Sequence, residues 1–155
     1  MANTITKLLE PTAIRLQLEA KTSKDVIETL GNLLYQAGHV YATFVNGALE
    51  REMTLPTGLQ LGGQINAAIP HTDVCHVIRP ALAMATLTEP VMFHNMVAAD
   101  EEVPVQIVFV MALKEPHQQI EMLQEVAGVL QNADVIEALM KAKDEKEVMA
   151  ILEKA

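Results

Sequence analysis

The chain has no tryptophan, and only two tyrosines and three phenylalanines among 155 residues. Half the residues are nevertheless apolar, so Leu, Ile, Val, Ala and nine Met must fill the core. Met adapts to irregular packing or to a partner surface. A single cysteine, Cys75, rules out an internal disulfide and fits a reducing cytosol. No apolar run approaches the roughly 20 residues of a membrane helix. Met1-Ala2-Asn3-Thr4 carries no basic segment leading into an apolar stretch, so no secretory signal is expected. Basic residues are scarce: 11 Lys and Arg stand against 20 Asp and Glu, a net charge of −9. That balance argues against nucleic acid, which rewards clustered Lys and Arg. It suits a protein partner with a basic face, although solubility alone also explains it. No internal repeat or linker divides the chain, and 1–155 reads as a single domain. No Gly-rich phosphate loop is present, which disfavours a kinase or nucleotidase.

Against those absences stand short, well-punctuated apolar segments. Ile14, Leu16 and Leu18 alternate with Arg15 and Gln17, which predicts a strand with one buried face. Thr22 precedes Asp25 by three positions, a capping-box pattern with Asp in place of Glu or Gln. Val26, Ile27, Leu30, Leu33 and Leu34 follow at helical spacing, and Gly38 is a stop. A second helix is predicted from about Tyr41 to Glu52, with Phe44, Val45, Ala48 and Leu49 inside and Pro56, Thr57 and Gly58 breaking it. A polar loop then leads into a strand over 65–69. The run 81–87 reads as a strand covered on both faces, and Val91 with Phe93 as a short further one. The run 103–112 is the most strand-like of all, rich in Val, Ile and Phe. A helix starts near Pro116 or His117, with Ile120, Leu123, Val126, Ala127 and Leu130 as its apolar stripe. Asp134 opens a short helix, and Asp144 with Glu147 caps the last one. The order predicts an α/β fold: a mixed β-sheet flanked by helices, not a strict βαβ repeat.

The chemistry is expected at the ends of these elements. In Ala68-Ile69-Pro70-His71 an apolar strand stops at a proline, which donates no ladder hydrogen bond. His71 is thereby held at the carboxyl end of a strand, where open α/β sheets place ligands. Imidazole titrates near neutrality and is a competent nucleophile. Arg51, near a helix end, offers a forked guanidinium to a phosphate. His117 falls in the first turn of a helix, whose free N–H groups favour an anion. Each has an ordinary alternative: a loop histidine, a helix-end ion pair and a helix-start residue without a role.

Taken in order, these residues resemble a known family. The Arg51-Glu52 pair before Thr57-Gly58, the Ile69-Pro70-His71-Thr72-Asp73 core with His76-Val77 after it, and Val108-Phe109-Val110 before His117 are similar to the enzyme IIA domain of the fructose/mannitol superfamily of the bacterial sugar phosphotransferase system, most of all its galactitol-type branch. The resemblance implies a cytoplasmic phosphotransferase. His71 would be phosphorylated by the carrier protein HPr and would pass the group to a cysteine of an enzyme IIB, serving the membrane enzyme IIC indirectly. It implies that His117 and Arg51 share the site of His71, with Thr57 and Asp73 supporting. No cofactor, metal or nucleic acid is expected, and no direct membrane insertion. The family usually carries a Glu four residues beyond the active histidine, where this chain has Cys75; Asp73 is the acid that can substitute.

Other classes remain open on the residues alone. The same fold phosphorylated on His71 would also serve as a regulatory module that feeds no transporter. A zinc site from His71, His76 and His117 lacks a helical His-x-x-x-His spacing. A thiol dyad of Cys75 with a neighbouring histidine lacks any oxyanion-forming pattern. His39, at a helix end, is expected to be silent in phosphoryl transfer.

Overall fold

The run that is most strand-like in sequence lies at the centre of the sheet. The structure is a computed structural model describing residues 3–155. Its elements are α1 (Asn3–Leu8), β1 (Leu9–Leu18), α2 (Ser23–Gln36), α3 (Phe44–Thr54), β2 (Gly58–Leu59), β3 (Ala67–Ala68), a 3-10 turn (Val74–His76), β4 (Ala81–His94), β5 (Glu102–Ala112), α4 (Pro116–Val129), α5 (Ala133–Lys141) and α6 (Glu145–Lys154). The sheet order is β1-β4-β5-β3-β2. β4 and β5 form a long antiparallel hairpin; β1 joins β4 and β3 joins β5 in parallel, and β2 closes the edge antiparallel to β3. The sheet is therefore mixed and flanked by helices, as the element order predicts. Among the described residues, no helix is long and apolar enough to cross a membrane.

Both faces of the hairpin are buried. Ala83, Ala85, Val108 and Val110 pack with Val26, Ile27, Leu30 and Phe44 of α2 and α3. Leu82, Met84, Ile107 and Phe109 pack with Ile5, Met122, Val126, Leu139 and Val148 from α1 and α4–α6. Ala on one face of β4 lets α2 approach closely, while the larger Leu82 and Met84 fill the other side together with Phe109.

Several expectations shift in detail. The separate strands at 81–87 and around Val91 are one strand, β4, with a register shift between Thr86 and Val91. Thr88, Glu89 and Pro90 are exposed there, and a proline is tolerated at such an irregularity. The strand over 65–69 shrinks to Ala67–Ala68. Its flanks still bond outward: Gln106 N–H reaches Asn66 O at 3.0 Å and Ile69 N–H reaches Thr57 O at 3.3 Å. α3 begins at Phe44 instead of Tyr41. The Thr43 hydroxyl does not cap it, being bonded to His76 Nδ1 at 2.8 Å. α1 went unforeseen because six residues carry too little periodicity to read. The caps agree closely. Thr22 Oγ1 accepts from Asp25 N at 3.1 Å, and Asp144 Oδ1 from Glu147 N at 2.9 Å. For α5 the cap is Asn132, with Asp134 in the first turn.

His39 is not idle. Its Nε2 meets Glu10 Oε1 at 2.8 Å, and its carbonyl accepts from both Ile78 and Arg79. That bond, above all, holds the Glu10 carboxyl below its ordinary range against the opposing effect of burial. His39 thus ties the end of α2 to β1 and to the segment before β4.

Candidate functional site

β3 ends at Ala68, and the backbone beyond it is caught by β5. Met111 N–H donates to Pro70 O at 2.9 Å, and His71 forms a parallel bridge with Met111. The His71 side chain then turns back on its own strand: Nδ1 lies 2.9 Å from Ile69 O. A carbonyl only accepts, so the ring proton sits on Nδ1 and the Nε2 lone pair is left free. His71 is buried, with only 9% of its surface exposed. Burial pushes its pKa below the ordinary histidine value, the Ile69 bond opposes that, the Arg51 charge lowers it further and Asp73 raises it. At neutral pH the ring is uncharged.

Beside it opens a cavity of about 400 Å³ whose walls include His71, Arg51, Thr57, Leu55, Met96 and Val97. Arg51 comes from the last turn of α3. Its Nη1 is 3.8 Å from Asp73 Oδ1, a loose pair with a largely exposed carboxylate, and such pairs contribute little. Its Nε is buried without a hydrogen-bond partner. Thr57 is pinned from below. Glu52 accepts its N–H and its hydroxyl, both at 2.8 Å. Burial raises the Glu52 carboxyl above its ordinary pKa, while the two Thr57 bonds, His94 and Arg51 pull it down. Gly58 follows because a Cβ there would lie 2.6 Å from the His94 carbonyl. The loop 95–101 completes the wall, held by Met96 N–H on Gly58 O at 2.8 Å.

The five residues expected to share this site are only partly brought together. His71, Arg51 and Thr57 line the cavity, and Asp73 pairs with Arg51 at its mouth. His117 does not line it: the side chain is 81% exposed in the first turn of α4, 3.6 Å from Glu121. The link from α4 to the His71 loop is made by Gln119, whose amide donates to Thr72 O at 2.7 Å. Cys75 is exposed. Among the described residues no three of His, Cys, Asp and Glu gather to hold a metal.

Three contributors escaped the sequence reading. Glu52 sat inside the motif without a role, and its spacing to Thr57 across a helix end was the available signal. Gln119 carried none. Gly47 lies one helical turn before Arg51, and a Cβ there would stand 2.9 Å from both Thr72 Oγ1 and His76 Nε2. It lets α3 lie against the segment that follows His71.

Residues 7–155 match the family described as phosphoenolpyruvate-dependent sugar phosphotransferase system, EIIA 2. The chain belongs to this enzyme IIA family. It is 31% identical over 116 residues, 75% of its own length and 76% of the relative's, to the galactitol-specific EIIA component of the phosphotransferase system of Escherichia coli K12. The crystal structure of IIA mannitol from E. coli superimposes with a TM-score of 0.78 at 25% identity, covering 93% of this chain and 98% of that one. The E. coli complex of IIA mannitol with phosphorylated enzyme IIB mannitol superimposes with a TM-score of 0.77 at 24% identity, over 95% and 98% of the two chains. The protein is thus a phosphotransferase component of sugar uptake. His71 and Arg51 thus line one cavity of this enzyme IIA.

Proposed function

We propose that this enzyme IIA takes a phosphoryl group from phospho-HPr onto His71 Nε2 and passes it to a cysteine of a cognate enzyme IIB, for galactitol or a related sugar. The observation that carries the reading is the commitment of Nδ1 to Ile69 O, which leaves Nε2 as the only nucleophilic nitrogen of a neutral ring. The Nε2 lone pair attacks phosphorus in line, the N–P bond of the donor histidine breaks, and its electron pair returns to the donor ring. The His71 proton stays on Nδ1, where the Ile69 carbonyl faces the positive charge that the ring acquires. In the second step a thiolate of enzyme IIB attacks the same phosphorus and His71 leaves as neutral imidazole. Both steps ask the protein for position and charge stabilisation more than for covalent chemistry.

The Arg51 guanidinium, with Nε unpaired, is assigned to the phosphoryl oxygens. Thr57 has both donors spent on Glu52, so its part is to shape the cavity. Asp73 restrains Arg51. His117, exposed on the first turn of α4, is assigned to the rim, where it meets the group during docking. Leu55 and Val97 line the cavity yet stand 55% and 89% exposed. They give the mouth an apolar border that suits brief docking of HPr and of enzyme IIB. The chain acts in the cytoplasm as a single IIA domain and reaches enzyme IIC only through enzyme IIB.

The test is incubation with phosphoenolpyruvate, enzyme I and HPr, followed by intact mass. One added phosphoryl group is expected, labile in acid and stable in base, and absent from His71→Ala. Acid-stable label, or full labelling of His71→Ala, overturns the assignment. Onward transfer to an enzyme IIB separates a link in transport from a regulatory module.

A further inference from the structure

A continuous line of hydrogen bonds runs from Glu52 to the ring of His71. The Glu52 carboxylate accepts the N–H and hydroxyl of Thr57, each at 2.8 Å. Thr57 O accepts from Ile69 N–H at 3.3 Å. Ile69 O, on the other side of the same residue, accepts from His71 Nδ1 at 2.9 Å. The strand before this last carbonyl, β3, is only two residues long and Ile69 lies just beyond it, so the ladder alone constrains Ile69 weakly. Its N–H has Thr57 as anchor, and Thr57 has Glu52. Neither Glu52 oxygen is spent on Arg51, whose acidic neighbour is Asp73.

We propose that Glu52 is a positioning residue for His71: through Thr57 and Ile69 it fixes the carbonyl that selects the Nδ1–H form of the ring. Glu52 itself touches no phosphoryl group, because both its oxygens face Thr57. Its effect is exerted before any partner arrives. The inference rests on the phosphocarrier reading for its consequence, but not for its geometry.

Glu52→Gln is the direct test. One oxygen can still accept from Thr57, and the amide nitrogen cannot. Two readouts are taken on the free protein and in transfer. Nitrogen-15 NMR of the imidazole reports the tautomer of His71. The wild type is expected to show the Nδ1–H form alone, and Glu52→Gln a mixture of both forms with unfolding still cooperative. Phosphorylation by phospho-HPr is expected to fall about tenfold or more. Thr57→Val, which loses the hydroxyl bond, should move both readouts the same way, and Thr57→Ser, which keeps both donors, should move them less. The double variant should fall no further than Glu52→Gln, since both changes cut one line.

An unmixed tautomer in Glu52→Gln and Thr57→Val overturns the proposal, even where transfer slows. So does full additivity of the two substitutions. If Glu52→Gln fails to fold, the Thr57 pair decides the question by the same two readouts. If the wild type takes no phosphoryl group, the phosphocarrier reading fails, while the tautomer measurement still judges Glu52.

Discussion

Replacing Gly47 with alanine is a sharp perturbation of this site, because it adds one carbon at a defined distance from known atoms. The new Cβ would lie 2.9 Å from Thr72 Oγ1 and from His76 Nε2, and 3.1 Å from His76 Cδ2, where ordinary contact begins at 3.4 Å. Neither neighbour yields easily. Thr72 is buried, and the His76 ring is held from its other nitrogen by Thr43. The helix must therefore back away by about half an ångström, the difference between those contacts. Alanine stabilises a helix interior by up to about 1 kcal/mol over glycine, and overpacking costs about 1–3 kcal/mol. Net stability should fall by about 0–2 kcal/mol. Arg51 is one turn further on the same face, so it retreats with the helix. Misplacing a reacting or stabilising group by about 1 Å can cost a factor of about 100, so half that displacement predicts roughly tenfold slower phosphorylation. Urea unfolding and rapid-quench transfer from phospho-HPr measure the two effects. Gly128→Ala in α4 is the control, since nothing lies within 4 Å of its new Cβ; it should gain stability and transfer normally. If Gly47→Ala gains stability as the control does and transfers within twofold of wild type, α3 is not held at this contact.

Arg51→Ala should fold and lose about 2–4 kcal/mol of transition-state stabilisation, as expected for one preorganised donor, read as single-turnover rate. His117→Ala should also slow transfer while leaving stability unchanged, because its pair with Glu121 is exposed; equal rates would remove it from the rim. Burial holds His71 below its ordinary pKa, so transfer should stay level as pH falls past the usual histidine range and drop only through the lower folded value. Arg51→Ala should move that drop to higher pH and Asp73→Asn to lower pH, by rate or by NMR titration. His39→Ala should cost about 1.5–3 kcal/mol as a hydrogen bond to a charged group is lost. The Glu10 pKa is lowered on folding, so this difference is full above the ordinary carboxyl value and shrinks as pH falls through the folded one. Urea unfolding at several pH values checks it.

What was legible in the sequence was local or buried on both sides. The run of β5 could be read because the hairpin is covered by helices on either face, so the stretch from Ile107 to Ala112 is buried and apolar throughout. The caps at Thr22 and Asp144 could be read because donor and acceptor lie within one turn. His71 stood out because Pro70 interrupts a strand by its own covalent structure. The length of β3 was not legible, since Ile107 and Val108 of a distant strand set it. Nor was the continuity of β4, because its pairing with β5 resumes beyond the exposed residues 88–90. In the site, Arg51 and His71 were read by residue type, whereas the step from Thr57 to Ile69 joins residues that only the fold makes neighbours. The place of His117 at the head of α4 followed from Pro116. The direction of its side chain did not, because an exposed first turn leaves it free to pair with Glu121.

The bridge between His71 and Met111 has a consequence for the order in which the chain matures. The segment bearing His71 is synthesised well before the strand that catches it. Until β5 has emerged and folded back on β4, Pro70 O lacks its Met111 donor and the two residues of β3 can pair with β2 alone. A nascent chain that already displays the whole Ile69-Pro70-His71 motif therefore still lacks the Met111 contacts that seat it. On the proposed phosphocarrier reading, the backbone that seats His71 is completed only with the closing of the hairpin.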